Sequence, residues 1–215
     1  MSDKPFKTYQ GEHVTVCWHR QLCLHAGECG RADNELFVVK RDPWCDPDEV
    51  DVNTVTEVVE RCPTGALSYQ RKDGHQEKRP SENTVHIACD GPLFLQGQLE
   101  IQGATPDMPG VKYRAALCRC GHSQNKPFCD NRHQEMNFQD YGAVGESGSE
   151  PLQMGGPLQV NTIKNGPLMV RGNLTLYSGS GRKAWQGKSA SLCRCGASAN
   201  KPFCDGSHRR VGFKS

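Results

Sequence analysis

The chain has 215 residues, 12 of them cysteine, with a net charge of +2, 35% hydrophobic residues and a mean hydropathy of −0.68. The near-neutral charge argues against nucleic acid as the main partner, and the lack of an apolar run of about 18 residues argues against a membrane span. The start has no apolar leader and the cysteines are clustered, so we expect a cytoplasmic protein whose cysteines bind metal and form no disulfides.

The first patterned segment, residues 12–74, predicts a small α+β unit. Residues 13–18 alternate with period two and predict a strand, and residues 35–40 and 66–69 predict two more. Thr54 and Glu57 have the spacing of a capping box, which predicts a helix start. The helix itself is predicted by apolar residues at helical spacing, which are Val52, Val55, Val58, Val59 and Cys62.

The cysteines of this segment form a candidate ligand set. Cys23 and Cys29 have C-x5-C spacing, and Cys62 precedes a proline ahead of the third predicted strand. Three thiolates from two loops can hold a [3Fe–4S] cluster, whereas a [4Fe–4S] cluster needs a fourth ligand, for which His25 is the nearest candidate. A zinc site and plain core packing are the alternatives. Three other cysteines lack ligand spacing, and we expect them to be ordinary thiols: Cys17, Cys45 and Cys89.

The Cys23…Cys29…Cys62-Pro63-x-Gly65-Ala66 pattern resembles the divergent single-cluster ferredoxin domains. The sequence departs from the bacterial C-x2-C-x2-C run by placing Ala26 at the middle position. The resemblance implies a ferredoxin-like iron–sulfur domain over residues 1–75, and the missing cysteine leaves the cluster type open. Polar residues 71–80, bounded by glycine and proline, predict a linker after it.

A stretch that occurs twice dominates the rest of the chain. Each copy has a C-x-C pair, eight further residues and a C-x3-H pair, and the copies are 75 positions apart without a gap. The C-x-C residues share one side of an extended chain, and the Cys and His share one face of a helical turn. Such a set can hold one tetrahedral zinc or a [2Fe–2S] cluster with one pair on each iron. The ligands are Cys118, Cys120, Cys129 and His133 in the first copy, and Cys193, Cys195, Cys204 and His208 in the second.

The second copy, ending in Cys204-Asp205-Gly206-Ser207-His208, resembles the CDGSH iron–sulfur family. The first copy keeps all four ligands but has Asn131 and Arg132 in place of the Gly-Ser turn. The resemblance implies a [2Fe–2S] cluster in each copy, with the C-x-C pair on the inner iron and the Cys and His on the outer iron.

The repeats predict a β-rich unit behind the small module, so the expected fold class is α+β. Period-two alternation around Gly97 and Gly172 predicts strands broken by a tight turn, as in a β-hairpin. Single-motif CDGSH proteins are dimers that share strands, so the resemblance implies an intramolecular pseudo-dimer. We expect the first repeat at residues 84–140 and the second at residues 157–215.

Residues around the ligands also suit a cluster. We expect prolines to fix the backbone before the third cysteine, serines to offer hydroxyls or amides to sulfur, aspartates to cap the helical turn, and basic residues to offset the cluster's negative charge. These pairs are Pro127 and Pro202, Ser123 and Ser198, Asp130 and Asp205, Arg119 and Arg194, and Lys126 and Lys201.

No nucleophile elbow, phosphate loop or HExxH motif occurs, so we expect an electron carrier and not a catalyst. Because a ligating imidazole must be neutral, the histidine-held clusters should be sensitive to pH. A cluster carrier or redox and iron sensor is the first alternative, and a zinc-stabilised interaction module is the second. The expected partners are redox proteins or apo-acceptor proteins, not nucleic acid or membrane, and the expected state is a monomer.

Overall fold

The computed structural model describes residues 5–32, 35–145, 148 and 155–215, and its regular structure is mostly sheet with few helices. The N-terminal module forms a three-stranded antiparallel sheet in the order β1-β2-β3, with α1 packed on it. Its elements are β1 (Phe6–Gln10), β2 (Val14–His19), α1 (Val52–Glu60) and β3 (Leu67–Arg71).

Helix α1 forms where its spacing predicts, but a different residue caps it. Val55, Val58 and Val59 are buried against the sheet. The Asp51 carboxylate accepts the backbone N–H groups of residues 53 and 54 at 3.0 and 3.2 Å. The predicted capping box is therefore wrong: Thr54 lies in the first turn and donates its hydroxyl to Asp51. An aspartate satisfies the free amides of a helix start as well as a threonine does.

The strand predicted at residues 35–40 does not form. Only a single bridge between Phe37 and Cys45 is present there, and Lys40 has φ +72°. Adjacent residues Leu36 and Phe37 are both buried. Successive side chains of a strand point to opposite faces, so two neighbouring buried residues suit an irregular loop that folds over the core.

The two repeats together build one seven-stranded sheet. The first repeat contributes β4 (Thr84–Ile87), β5 (Leu93–Gln96), β6 (Gln98–Ile101), β7 (Arg114–Leu117) and the short helix α2 (Arg132–Glu135). The second contributes β8 (Pro157–Thr162), β9 (Leu168–Tyr177), β10 (Lys183–Leu192) and the short helix α3 (Ser207–Arg210).

The hairpins predicted at Gly97 and Gly172 are wrong, because Gly97 is a bend between two strands that do not pair and Gly172 is a bend inside one strand. β5 and β6 do not pair with each other, and Gly172 lies inside β9. Both glycines have positive φ, +153° and +125°. A Cβ atom on Gly172 would lie 2.4 Å from the carbonyl oxygen of Pro157, so only glycine fits where the strands approach.

At these bends each strand exchanges one partner for another. Before the bend, β5 pairs with β4 and the first half of β9 pairs with β8, in each case within one repeat. After the bend, β6 runs parallel to β8 of the second repeat, and the end of β9 runs parallel to β4 of the first. Each repeat therefore completes its part of the sheet only with a strand from the other.

Arg114 of the first repeat binds both the linker, through a buried ion pair, and the N-terminal module, through a hydrogen bond. Arg114 at the start of β7 pairs with Glu77, and their side chains are 6% and 9% exposed. The same guanidinium donates to the carbonyl of Leu67 in β3 at 3.5 Å. The predicted linker has no regular structure from residue 72 to 80, yet Glu77 fixes it to the sheet.

Candidate metal centres

Each repeat positions its four predicted ligands as two close pairs. In the first, the sulfurs of Cys118 and Cys120 are 3.7 Å apart, and the Cys129 sulfur lies 3.4 Å from Nδ1 of His133. The corresponding distances in the second repeat are 3.6 Å and 3.3 Å. Two thiolates on one tetrahedral metal lie about 3.7 Å apart when each bond is about 2.3 Å. Each pair is therefore spaced to share one metal ion.

The secondary structure explains this pairing. The C-x-C pair follows directly on β7 or β10, where the extended backbone turns both cysteines to one side. The histidine lies in α2 or α3, one turn beyond its cysteine. Among the residues that the structure describes, no group of three or more Cys, His, Asp or Glu is placed to hold one metal ion. The close contacts within each set are the two pairs, one of two cysteines and one of a cysteine and a histidine.

The electrostatics at the first site act in opposite directions on its ligands, favouring the thiolate of Cys118 and disfavouring that of Cys129. The Cys120 thiol, as a hydrogen-bond donor, lowers the pKa of Cys118, and the backbone amides of Ser123 and Gly121 add to this effect, while the pKa of Cys120 is raised in return. Burial raises the pKa of Cys129 to about 12. Burial, and then the charge of Arg119, lower the pKa of His133. A low histidine pKa keeps the imidazole neutral, which is the form that binds metal.

The serine hydroxyls do not reach sulfur. Ser123 donates its hydroxyl to the carbonyl of Phe128 at 2.7 Å, and Ser198 donates to Phe203 at 2.6 Å. Backbone amides serve the sulfurs instead: His122 N–H donates to Cys120 at 3.5 Å. Of the expected hydroxyl or amide role, the hydroxyl part is therefore wrong, because these hydroxyls close the loop that carries the third cysteine. The amide part holds for Ser123, whose backbone N–H bonds to Cys118.

Asp130 and Asp205 hold the ligand helix against this loop, as expected of a cap. Asp205 accepts from the backbone N–H groups of Ala199 and Ser207 at 2.8 and 2.9 Å, and these bonds hold its pKa below the usual range. Asp130 accepts equivalent bonds at 2.8 and 3.2 Å. Each carboxylate thus fixes the histidine relative to the cysteine loop.

The arginines between the paired cysteines are buried tethers, not simple counter-charges. Arg119 donates to the carbonyl of Gly91 at 2.7 Å, and Arg194 donates to Gly166 at the same distance. Arg119 also pairs with Asp140. Arg194 instead donates to the hydroxyl of Ser215 at 2.7 Å, and Ser215 is the residue of the second repeat that corresponds to Asp140. Lys126 and Lys201 likewise donate to loop carbonyls, at 2.5 and 2.6 Å. The sequence predicts either a charge that offsets the cluster or an ordinary surface base at these positions; the buried arginines are not surface bases, and neither interpretation included the backbone contacts.

The prolines before the third cysteine also occupy matching places. Pro127 and Pro202 are buried, and each carbonyl accepts the backbone N–H of the first ligand cysteine, at 2.9 and 2.8 Å. These bonds join the two halves of each ligand loop.

The two sites differ in exposure. Cys129 and His133 are 3% and 8% exposed, whereas Cys204 and His208 are only half-buried. Two side chains that the motif does not predict contribute to the cover of the first site: Asn125 and Asn131 bond to the N-terminal module. The departure from Gly-Ser at Asn131 was the signal in the sequence for this difference.

The third ligand set lines one cavity in the N-terminal module. Cys23, Cys29, Cys62 and His25 all lie on a cavity of about 460 Å³. Burial raises the pKa of Cys29, and the neighbouring Cys62 and Cys23 raise it further. The space and the thiol donors fit a cluster of several irons.

The remaining cysteines are not among the residues that line this cavity. Cys17 is half-buried in β2, Cys89 is exposed, and Cys45 is buried with its pKa raised by burial to about 12. All 12 cysteines are free thiols, with no disulfide between them.

Two family models match segments of the chain that contain these cysteines and histidines. A model described as "Divergent 4Fe-4S mono-cluster" matches residues 9–72, and one described as "Iron-binding zinc finger CDGSH type" matches residues 90–134 and 165–209. The chain therefore carries a divergent 4Fe-4S mono-cluster domain followed by two tandem CDGSH-type domains. It is thus an iron-binding, cluster-containing protein.

Two curated relatives match part of the chain. Both bear the name "Uncharacterized protein YjdI", one from Escherichia coli strain K12 and one from Escherichia coli O157:H7. Each is 46% identical over 70 residues, which is 33% of this chain and 92% of the relative. No solved structure matches the chain. Among the described residues, no helix is both long and apolar enough to cross a membrane.

Proposed function

We propose that the chain is an electron carrier with two [2Fe–2S] clusters and a third cluster of the [3Fe–4S] or [4Fe–4S] type. Each CDGSH set would hold its cluster through three cysteines and one histidine. A bound cluster gains and loses one electron without bond rearrangement. The motifs and the cavity offer no catalytic constellation beside the ligands, so electron transfer is the activity that these residues suit best.

The paired ligands are the observation that carries this proposal. A zinc ion would draw four ligands around one centre, whereas a [2Fe–2S] cluster takes two ligands on each of two irons. Both repeats present their ligands as two pairs, with spacings of 3.3 to 3.7 Å inside a pair. This geometry favours the cluster over the structural zinc module.

The third cluster would bind Cys23, Cys29 and Cys62, with His25 as the candidate fourth ligand. His25 lines the same cavity and has φ +54°. A [3Fe–4S] cluster needs the three cysteines alone. Spectra of a His25→Ala variant would separate the two types, because only a four-iron cluster would need a replacement ligand.

We further infer that the two repeats form an intramolecular pseudo-dimer. The strand pairs between the repeats support this inference: β4 of the first repeat pairs with the end of β9, and β8 of the second repeat pairs with β6. Each repeat would thus supply one strand to the other. The functional unit would then be one chain, with residues 1–75 as the added domain. We propose redox proteins as its partners, with no role for nucleic acid or membrane.

Electron transfer is tested by redox titration of the anaerobic protein with dithionite, followed by absorbance and electron paramagnetic resonance. The proposal predicts one-electron signals from each cluster that return fully on reoxidation, and reduction of a one-electron acceptor such as cytochrome c. A protein that contains the clusters but cannot pass electrons to any such acceptor would contradict the electron-carrier role.

A second candidate function is donation of a cluster from the second site, because Cys204 and His208 are half-buried there. An iron chelator would then bleach the protein in two phases, and His208→Cys would slow the fast phase while His133→Cys would not. Transfer of the intact cluster to an apo-ferredoxin, followed by absorbance, would favour this carrier over simple electron transfer. Release of loose iron alone would count against it.

A further inference from the structure

Two asparagine side chains of the first CDGSH motif bind the cysteine loop of the N-terminal module. Asn131 donates its side-chain amide to the carbonyl of Leu24 at 2.9 Å. Asn125 donates to the carbonyl of Gln21 at 2.9 Å. Leu24 directly follows the ligand Cys23, so both bonds fall on the segment that leads into the third ligand set.

The second repeat has no counterpart of the Asn131 side chain. The equivalent residue is Gly206, which has φ +87°, close to the +69° of Asn131. The backbone therefore adopts the same left-handed conformation in both repeats, so this conformation does not require the Asn131 side chain. That side chain instead bonds to Leu24. Asparagine is one of the residues that tolerate this conformation best after glycine.

Burial follows the same division. Cys129 and His133 are buried beside these contacts, while Cys204 and His208 are half-buried. The helix that carries His208 also carries the exposed Arg209 and Arg210, and the exposed Lys214 follows it, while the exposed Asp205 is the acidic residue next to Cys204. One CDGSH site thus adjoins the N-terminal module, and the other is more open to solvent and lies on a segment with more exposed basic than acidic residues.

We propose that Asn125 and Asn131 dock the N-terminal module on the first CDGSH site and make the two an internal electron-exchange pair, leaving the second site to meet an external acidic redox protein. This inference rests on the proposed electron-carrier function and adds an order to its three sites. Asn131 acts as a positioning residue, because the ligands Cys129 and His133 lie two residues before and two residues after it.

The connection between the ligands is short. From Cys23 it passes along one peptide to Leu24, across one hydrogen bond to Asn131, and through Asp130 to Cys129. The exchange moves one electron from the reduced centre to the oxidised one, with no bond made or broken and no proton required. A low-potential one-electron donor protein would supply the electron, and a one-electron acceptor protein would take it from the second site.

Docking is tested by hydrogen–deuterium exchange on the full chain carrying its metals. The double variant Asn125→Ala, Asn131→Gly removes both bonds, and glycine at 131 reproduces the residue that the second repeat already has. Loss of two hydrogen bonds of ordinary strength predicts about 30-fold faster exchange in peptides covering residues 20–32. The control Asn200→Ala alters the equivalent loop of the second repeat and should leave those peptides unchanged. The single variant Asn131→Gly should give a smaller increase if the double variant folds poorly.

The electron-exchange pair is tested by microwave-power saturation of the [2Fe–2S] resonance signals after reduction, assigned with His133→Cys and His208→Cys. A nearby third cluster should speed relaxation of the first-site signal alone. Cys62→Ser should remove that enhancement, and the double asparagine variant should reduce it.

The outcomes separate the two proposals. Unchanged exchange in residues 20–32 overturns the docking role of the asparagines whatever metal is bound. If hydrogen–deuterium exchange is faster but only the second-site signal shows enhanced relaxation, the proposal that the first site is the partner of the third cluster is overturned. A protein that contains zinc and no iron–sulfur cluster overturns the electron-carrier function and the exchange pair, while the docking result still stands by itself.

Discussion

Gly121 and Gly196, which are 75 positions apart, each pack against the cysteine pair of the other repeat. A Cβ atom on Gly121 would lie 2.8 Å from the carbonyl oxygen of Cys195, and one on Gly196 would lie 2.6 Å from that of Cys120. Both glycines have positive φ, +90° and +80°. The two ligand loops therefore meet back to back, and each limits the space of the other.

This contact predicts that Gly121→Ala lowers the stability of both CDGSH sites. The control is Gly181→Ala, because Gly181 also has φ +80° but a Cβ atom there would meet no other atom within 4 Å. The control should cost about 1–2 kcal/mol from the left-handed backbone alone. Gly121→Ala should cost more and should speed bleaching of both [2Fe–2S] signals on heating. Equal effects of the two substitutions would show that the contact between the loops is unimportant.

Asp140 and Ser215 occupy equivalent places beside the two tether arginines, and they predict a difference in reduction potential. Net charge near a cluster sets its potential, and added positive charge favours the reduced state. Asp140→Ser leaves Arg119 without this carboxylate and should raise the potential of the first site. Ser215→Asp should lower the potential of the second.

Redox titration followed by electron paramagnetic resonance measures both changes. Glu57→Gln, on the exposed face of α1, should leave both potentials unchanged. A shift in the opposite direction in either variant would refute the charge argument.

The cavity in the N-terminal module predicts which cysteines bind metal. Cys62→Ser should lower the iron content by about three or four atoms per chain, since the third cluster would lose a ligand. Cys17→Ser is the matched control, because Cys17 is a half-buried cysteine of the same module that does not line the cavity. It should retain all its iron. Equal losses in the two variants, measured by metal analysis, would show that Cys62 is no ligand.

The Glu77–Arg114 pair predicts a pH dependence of stability. Burial raises the pKa of Glu77 from 4.5 to about 7, although Arg114 opposes the shift. A carboxyl with a higher pKa in the folded state takes up a proton on folding between these values. The free energy of unfolding should therefore fall as pH rises across that window, by at most about 1.4 kcal/mol per pH unit for this group.

Glu77→Gln removes the titrating group and should flatten this part of the profile. Urea unfolding between pH 5 and 8 measures it, with the exposed Glu12→Gln as the control. An unchanged slope in Glu77→Gln would refute the assignment.

The sequence predicts best what depends on short spacing. The C-x-C and C-x3-H pairs, α1 and the strand that follows it are local features, and the structure has them at the predicted places. The aspartate caps could also be predicted, because Asp205 bonds to backbone amides only two and six residues away.

Features that depend on distant parts of the chain could not be predicted. Gly97 and Gly172 look like turn residues, yet they mark bends at which a strand takes a partner from the other repeat. Asn131 looks like an imperfect motif, but its partner Leu24 lies 107 positions earlier. Arg119 looks like a counter-charge because the sequence cannot show the carbonyl of Gly91 that it binds. No local pattern contains such contacts.

The three-cluster proposal is tested first by an anaerobic absorption spectrum of the purified protein, with iron, acid-labile sulfide and zinc counted on the same sample. We expect visible bands that bleach with dithionite and about seven or eight iron atoms per chain, from two [2Fe–2S] clusters and one three- or four-iron cluster. About four iron atoms would retain the CDGSH clusters and refute the third. A colourless protein with about three zinc ions would contradict the account, because each ligand set would then hold a single structural metal.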